Sequence, residues 1–164
     1  MKSVFVAVTG VLLSLMAGSA NAETMRVEAV MAPKESMRLD FADGSKHFVL
    51  MVRREGRSTG SGPLADAMVT EYGMHDIVPG VGGDPRGYLT FTAANGDIAY
   101  IKWRVRAVFV PGGDGKPVLL DNGYWEIAGA TGGLAGLSGA GTLHIKAASA
   151  TDRRFILGGD ITIK

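Results

Sequence analysis

Alternation governs the middle of the chain. Ala99, Ile101, Trp103, Val105, Ala107 and Phe109 occupy every second position, with Tyr100, Lys102, Arg104 and Arg106 between them. Successive side chains of a strand point to opposite faces, so this stretch reads as one strand with an oily face and a charged face. Buried on one side only, such a strand belongs to an antiparallel sheet.

Its neighbours follow from keeping like faces together. A three-residue loop, Ala94-Asn95-Gly96, places Gly96 where a left-handed residue is needed. It sets Phe91 opposite Ala99, Leu89 opposite Ile101 and Gly87 opposite Trp103. On the other side, the turn 111–117 (Pro-Gly-Gly-Asp-Gly-Lys-Pro) sets Val110 opposite Val118. Ile101 then meets Ile127, Trp103 meets Trp125 and Phe109 meets Leu119. On the charged face, Lys102 meets Glu126, Arg104 meets Tyr124 and Arg106 meets Asn122. Opposed charges and aromatic pairs favour such a register. Asp121, opposite Ala107, is the one misfit on the oily face.

Further strands are predicted at 25–31, 46–54, 67–73, 87–93, 118–128, 141–147 and 153–164, with a short one at 37–41. No amphipathic helix competes. Many short strands punctuated by Gly, Pro, Asn and Asp predict an all-β barrel or sandwich. Residues 56–63 read as a flexible lid or linker. Residues 71–85 read as a long loop carrying Tyr72, His75 and Asp76.

The first 22 residues read as a secretory leader. Lys2 supplies the positive end, 4–16 is apolar but too short to span a bilayer, and Ala20-Asn21-Ala22 fits a cleavage site. A non-cleaved anchor is the alternative reading of the same stretch. Cleavage after Ala22 leaves one domain, 23–164, of 142 residues, enough for a real core. The expected location is periplasmic or extracellular, with no membrane span after cleavage. The chain has 17 basic and 16 acidic side chains. The mature part loses Lys2 and is formally neutral, which argues against a nucleic-acid partner. Cysteine is absent, which excludes disulfides, thiol nucleophiles and thiolate metal sites.

A glycine-rich run follows the strand that carries Trp125. Gly129-Ala130-Thr131-Gly132-Gly133-Leu134 and Gly139-Ala140-Gly141 resemble the late strand–turn–strand of the allene oxide cyclase-like and dirigent-like barrels. Those families carry a GGTG-like turn, an aromatic shortly after it and a G-x-G before the next strand. Here Ala130 replaces the second glycine, and Leu134 stands where the aromatic is usual. The likeness is tightest over 125–142. Gly87-Tyr88 and Gly96-Asp97 resemble the middle of the same group. The resemblance implies a closed antiparallel barrel of about eight strands around an apolar cavity, often trimeric. It transfers no catalytic residue. Closure is sensible in its own right, because it removes exposed strand edges.

The glycines match no phosphate-binding loop. His47, His75 and His144 stand apart in sequence, so a metal site would need the fold to gather them, with Asp76 or Asp160; no metal and no cofactor are expected. The stripe Lys102, Arg104, Arg106 reads as a solvated outer face. Phe91, Ile101, Trp103, Trp125 and Ile127 form the inner face and are the candidate ligand-binding residues, since small barrels either fill with side chains or hold one small ligand. Tyr72, His75 and Glu126 are the candidates for proton transfer. Three functions stay open: a lumenal binder of a small apolar or amphipathic molecule, an isomerase or cyclase in the same pocket, and a homo-oligomeric module with a packed barrel.

Overall fold

The computed structural model describes residues 22–163; the predicted leader, up to Asn21, lies outside them. The strands are β1 (Glu23–Asp40), β2 (Phe48–Ser61), β3 (Met68–Val78), β4 (Gly82–Gly83), β5 (Arg86–Thr92), β6 (Ile98–Pro111), β7 (Pro117–Ala130), β8 (Leu137–Ala147) and β9 (Arg153–Ile163). Eight of them pair antiparallel in a ring, β1-β2-β3-β5-β6-β7-β8-β9, and β9 returns to β1. The two-residue β4 is an extra bridge between β3 and β6. The fold is an all-β closed antiparallel barrel. Among the described residues no helix is long and apolar enough to cross a membrane.

The central registers are those dictated by alternation. Phe91 faces Ala99, Leu89 faces Ile101 and Gly87 faces Trp103. Ile101 faces Ile127, Trp103 faces Trp125, Phe109 faces Leu119 and Asp121 faces Ala107. Gly96 has φ +89°, the left-handed turn residue that the hairpin needs.

Two local expectations are overturned. Residues 56–61 are not a flexible linker but the continuation of β2, paired with β1 from Met31↔Gly56 to Arg26↔Ser61. A Cβ on Gly56 or Gly60 would strike the Val30 or Arg26 carbonyl, so these glycines serve close strand approach rather than flexibility. Likewise β3 runs on to Val78, which turns most of the supposed loop at 71–85 into strand. The segments at 25–31 and 37–41 belong to one strand, with the register shift between Pro33 and Glu35 marking a bulge.

A belt of paired residues explains the glycine content. Reading across the strands, Gly73 pairs with Gly87, Gly87 with Trp103, Trp103 with Trp125, Trp125 with Gly141, and Gly141 with Gly159. Each indole lies over the glycines beside it. A Cβ on Gly87 would sit 3.1 Å from Trp103 Cζ2, and one on Gly159 would sit 2.8 Å from Trp125 Cζ2. The space left by glycine is therefore filled by tryptophan. Trp125 also donates its Nε1–H to the Gly158 carbonyl at 3.3 Å. Around this belt, Phe91, Leu89, Ile101, Leu143, Phe155 and Leu157 are buried in one continuous core. At the end near Phe91, the 62–67 connection folds Leu64 into that core. Ser58 fixes the connection by donating to the Leu64 carbonyl at 2.7 Å and accepting from the Ala67 amide at 3.0 Å.

Candidate functional site

The other end of the lumen is polar. On β3, Val69, Glu71, Gly73, His75 and Ile77 share the inward face. On β2, Val52 and Arg54 do the same. Arg54 pairs with Glu71 by backbone register, so a cation and a carboxylate enter the barrel side by side. Arg54 Nη1 donates to Glu71 Oε2 at 2.7 Å. Glu71 is fully buried and Arg54 is 5% exposed. His75 Nε2 lies 3.0 Å from Glu71 Oε1 and 3.3 Å from Arg54 Nη1. Because Arg54 can only donate, the shorter, charge-assisted contact assigns the Nε2–H to Glu71; in the neutral imidazole Nδ1 is then the acceptor. Gly73 makes the pair possible. A Cβ there would strike Glu71 Oε1 and come within 2.9 Å of His75 Nε2.

Two more ionisable groups complete the cluster. Asp121 on β7 is 7% exposed. Burial pushes its carboxyl above the ordinary carboxylate range, and the nearby His75 and Arg153 pull it back down. Arg153, at the start of β9, has its guanidinium pushed below its ordinary value by burial and by Arg54; Asp121, Asp152 and Glu71 act against this. The group thus carries two guanidinium ions against two carboxyls, with a histidine among them. Trp103 and Phe155 form its apolar wall, with the Trp103 ring 5.9 Å from His75 and 5.8 Å from Phe155 between centroids.

Three buried polar atoms lack hydrogen-bond partners among the described residues: Arg54 Nε, Trp103 Nε1 and Asp121 Oδ1. All three belong to residues around His75. Unmatched buried polar atoms are costly and scarce in native proteins. These two donors and one acceptor each call for a complementary partner from water or a bound molecule.

The pH behaviour of Asp121 is a direct prediction. A folded-state pKa above the unfolded one means that the native carboxyl keeps a proton the unfolded chain has released. Stability then falls as pH rises from the ordinary carboxylate value through the raised one. Asp121→Asn cannot ionise and escapes this loss. It should be more stable than the parent at pH 7 and no more stable at pH 3. Melting curves at the two pH values check it.

The residues singled out from sequence fall in different places. Phe91, Ile101, Trp103 and Trp125 are 1% exposed or less within the core, and Ile127 packs against it half-buried. Of the proton-transfer candidates, only His75 enters the lumen. Tyr72 points outward and is 54% exposed. Glu126 is on the outer face, 3.4 Å from Lys102. Asp76 is also outside the lumen and contacts His47 Nε2 at 2.5 Å. His144 faces Asn122. Among the described residues no three His, Asp or Glu side chains form a metal-holding group. Arg104 and Arg106 share Asp84 on the outer surface, at 3.7 and 2.9 Å. Arg54, Glu71 and Arg153 were missed by sequence reasoning. Their signal was parity: each is polar on the inward phase of its strand.

A closed eight-stranded antiparallel barrel with an inward polar cluster is the class that fold and site define. Two solved structures share this fold. One is a conserved protein of unknown function from Rhodopseudomonas palustris, at 13% identity and a TM-score of 0.51, covering 88% of this chain and 99% of that one. The other is a pterocarpan synthase dirigent protein, at 13% identity and a TM-score of 0.50, covering 93% of this chain and 98% of that one. The chain therefore shares the fold of these two structures, one of them a dirigent protein, and it is the closed antiparallel barrel that the resemblance over 125–142 implied; at such identities the likeness is one of fold. No protein-family model and no curated protein matches the sequence.

Proposed function

We propose that this is an exported protein, with residues 1–22 a cleaved leader and 23–164 the mature barrel, that binds a small amphipathic molecule at the polar end of its lumen. The observation that carries the reading is the set of three unmatched polar atoms around His75. A ligand oxygen that accepts from Arg54 Nε–H and Trp103 Nε1–H, together with a hydroxyl that donates to Asp121, satisfies all three. Its apolar body rests on Trp103 and Phe155. Among the inner-face residues that alternation singles out, this gives Trp103 the direct contact, while Phe91, Ile101, Trp125 and Ile127 support the wall behind it.

4-Hydroxybenzaldehyde is a suitable probe, since it joins a carbonyl acceptor and a phenol donor across a flat apolar ring. Calorimetric titration should give saturable one-to-one binding. Asp121→Leu should weaken it at least about tenfold, the scale of one lost buried hydrogen bond. No saturable heat, or equal binding of methoxybenzene, would reject the lumenal reading.

A second reading rests on the Glu71–His75 contact of 3.0 Å. A carboxylate that fixes an imidazole and leaves Nδ1 facing a bound molecule is the arrangement of a general base. On this reading the barrel is an isomerase or cyclase, and His75 moves the proton. Tyr72 and Glu126, both outside the lumen, take no part in it. Assembly into a homo-oligomer completes the proposal. β9 pairs with β1 only as far as Met31, and the rest of that edge is available to another copy. Light scattering on the mature protein measures it.

A further inference from the structure

A second concavity lies on the outside of the barrel. It has a volume of about 770 Å³ and is lined by residues of β1, β2, β3, β5 and β6. Register places Met51, Met74, Tyr72 and Tyr88 on the outward face: Met51 pairs with Met74, and Tyr72 with Tyr88. Between them Gly73 and Gly87 contribute only backbone to the lining. All four side chains border open space, and Met51, Tyr72 and Tyr88 are 43–54% exposed. Two phenol rings and flexible thioethers over bare backbone form an adaptable surface for a flat apolar group. The volume is that of ordinary small-molecule sites.

The charge around it has one sign in excess. Arg53, Arg86 and Lys102 border the groove, with Glu35 as its one carboxylate. Arg53 is already held by Glu35 and Glu55, and Lys102 by Glu126. Arg86 has no carboxylate within 4 Å among the described residues. It is paired directly across the ladder with Arg104, whose partner Asp84 is shared with Arg106. Like charges in directly opposed positions destabilise a sheet, and a bound anion relieves them.

We infer that this outer groove binds a small aromatic carboxylate, with the ring between Tyr72, Tyr88 and the methionines and the carboxylate on Arg86. The site is separate from the polar end of the lumen and does not depend on the function proposed for it.

1-Naphthoate tests the inference by calorimetry on the mature protein at low ionic strength. It should bind one-to-one, and its neutral counterpart 1-naphthalenemethanol at least tenfold more weakly. Arg86→Gln and Tyr88→Ala should each weaken naphthoate at least tenfold; both side chains are exposed, so neither thermal midpoint should fall, and Arg86→Gln, which removes the repulsion with Arg104, should hold or raise it. The lumenal double variant Arg54→Met/Glu71→Leu should bind naphthoate like the parent. Four results would overturn the inference. They are absence of saturable binding, equal affinity for the alcohol, indifference to both groove variants, or loss only in the lumenal variant. Self-association that Tyr88→Glu abolishes, with naphthoate excluded from the parent, would also overturn it by assigning the groove to a second copy.

Discussion

Truncation of Glu71 to alanine is expected to lower the unfolding free energy by about 3–5 kcal/mol, the cost of leaving one member of a buried ion pair alone. Glu71 is fully buried and Arg54 nearly so, and Arg54 donates to it at 2.7 Å. Without that carboxylate, Arg54 and Arg153, on the two strands that flank β1, repel with only Asp121 and Asp152 to offset them. The Arg153 guanidinium, already pushed down by burial and by Arg54, would be pushed further. For a domain of this size each kcal/mol moves the thermal midpoint by roughly 2–4 °C. A fall of about 10 °C is therefore the central expectation, read by thermal or urea denaturation. A loss below about 1 kcal/mol would mean that water reaches Arg54 freely.

Trp125→Ala is the second large effect, at about 3–5 kcal/mol. Trp125 is fully buried, and its ring spans the glycines of β8 and β9. Removing it leaves a void that Gly141 and Gly159 cannot fill. The reverse change should also destabilise: the Cβ of Gly141→Ala would meet the Gly158 carbonyl and stand 2.7 Å from Gly159 Cα. Backbone atoms on both sides cannot step aside as a side chain does, so a cost of about 1–3 kcal/mol is expected. Urea unfolding of both variants measures the belt from each side. If Gly141→Ala proved neutral, β8 and β9 would approach less closely at the belt than Gly141 and Gly159 require.

These two effects differ in how readable they were. The belt's centre was legible, because an oily face opposite a charged face admits one parity and aromatic pairs select one register. Hence the pairing of Trp103 with Trp125, and of Gly87 with Trp103, follows from alternation and stands in the barrel. The outer glycines of the belt were not legible. A glycine that accepts a neighbouring ring and a glycine that bends a turn look alike in sequence; Gly56 and Gly60 misled for the same reason. The polar cluster was half-visible. Asp121 stood out as a carboxylate on an oily phase, and His75 was noticed. Arg54 and Glu71 lay within the predicted strands at 46–54 and 67–73, but nothing in those segments showed which face turned inward. Once β3 continues to Val78, period two separates His75, inside, from Tyr72 and Asp76, outside. The missing information was long-range: only closure of the ring through β1 and β9 brings Arg153 to the charged residues of β2 and β3.

Conversion of the ion pair to an oily pair, Arg54→Met/Glu71→Leu, tests most directly whether the cluster serves a ligand or only the fold. Similar volume and no unpaired charge should keep stability within about 1–2 kcal/mol of the parent, or raise it. Titration of this folded variant with 4-hydroxybenzaldehyde is the decisive measurement. Loss of binding with the barrel intact is the predicted result; unchanged affinity would contradict the assignment of the lumen's polar end as the binding site.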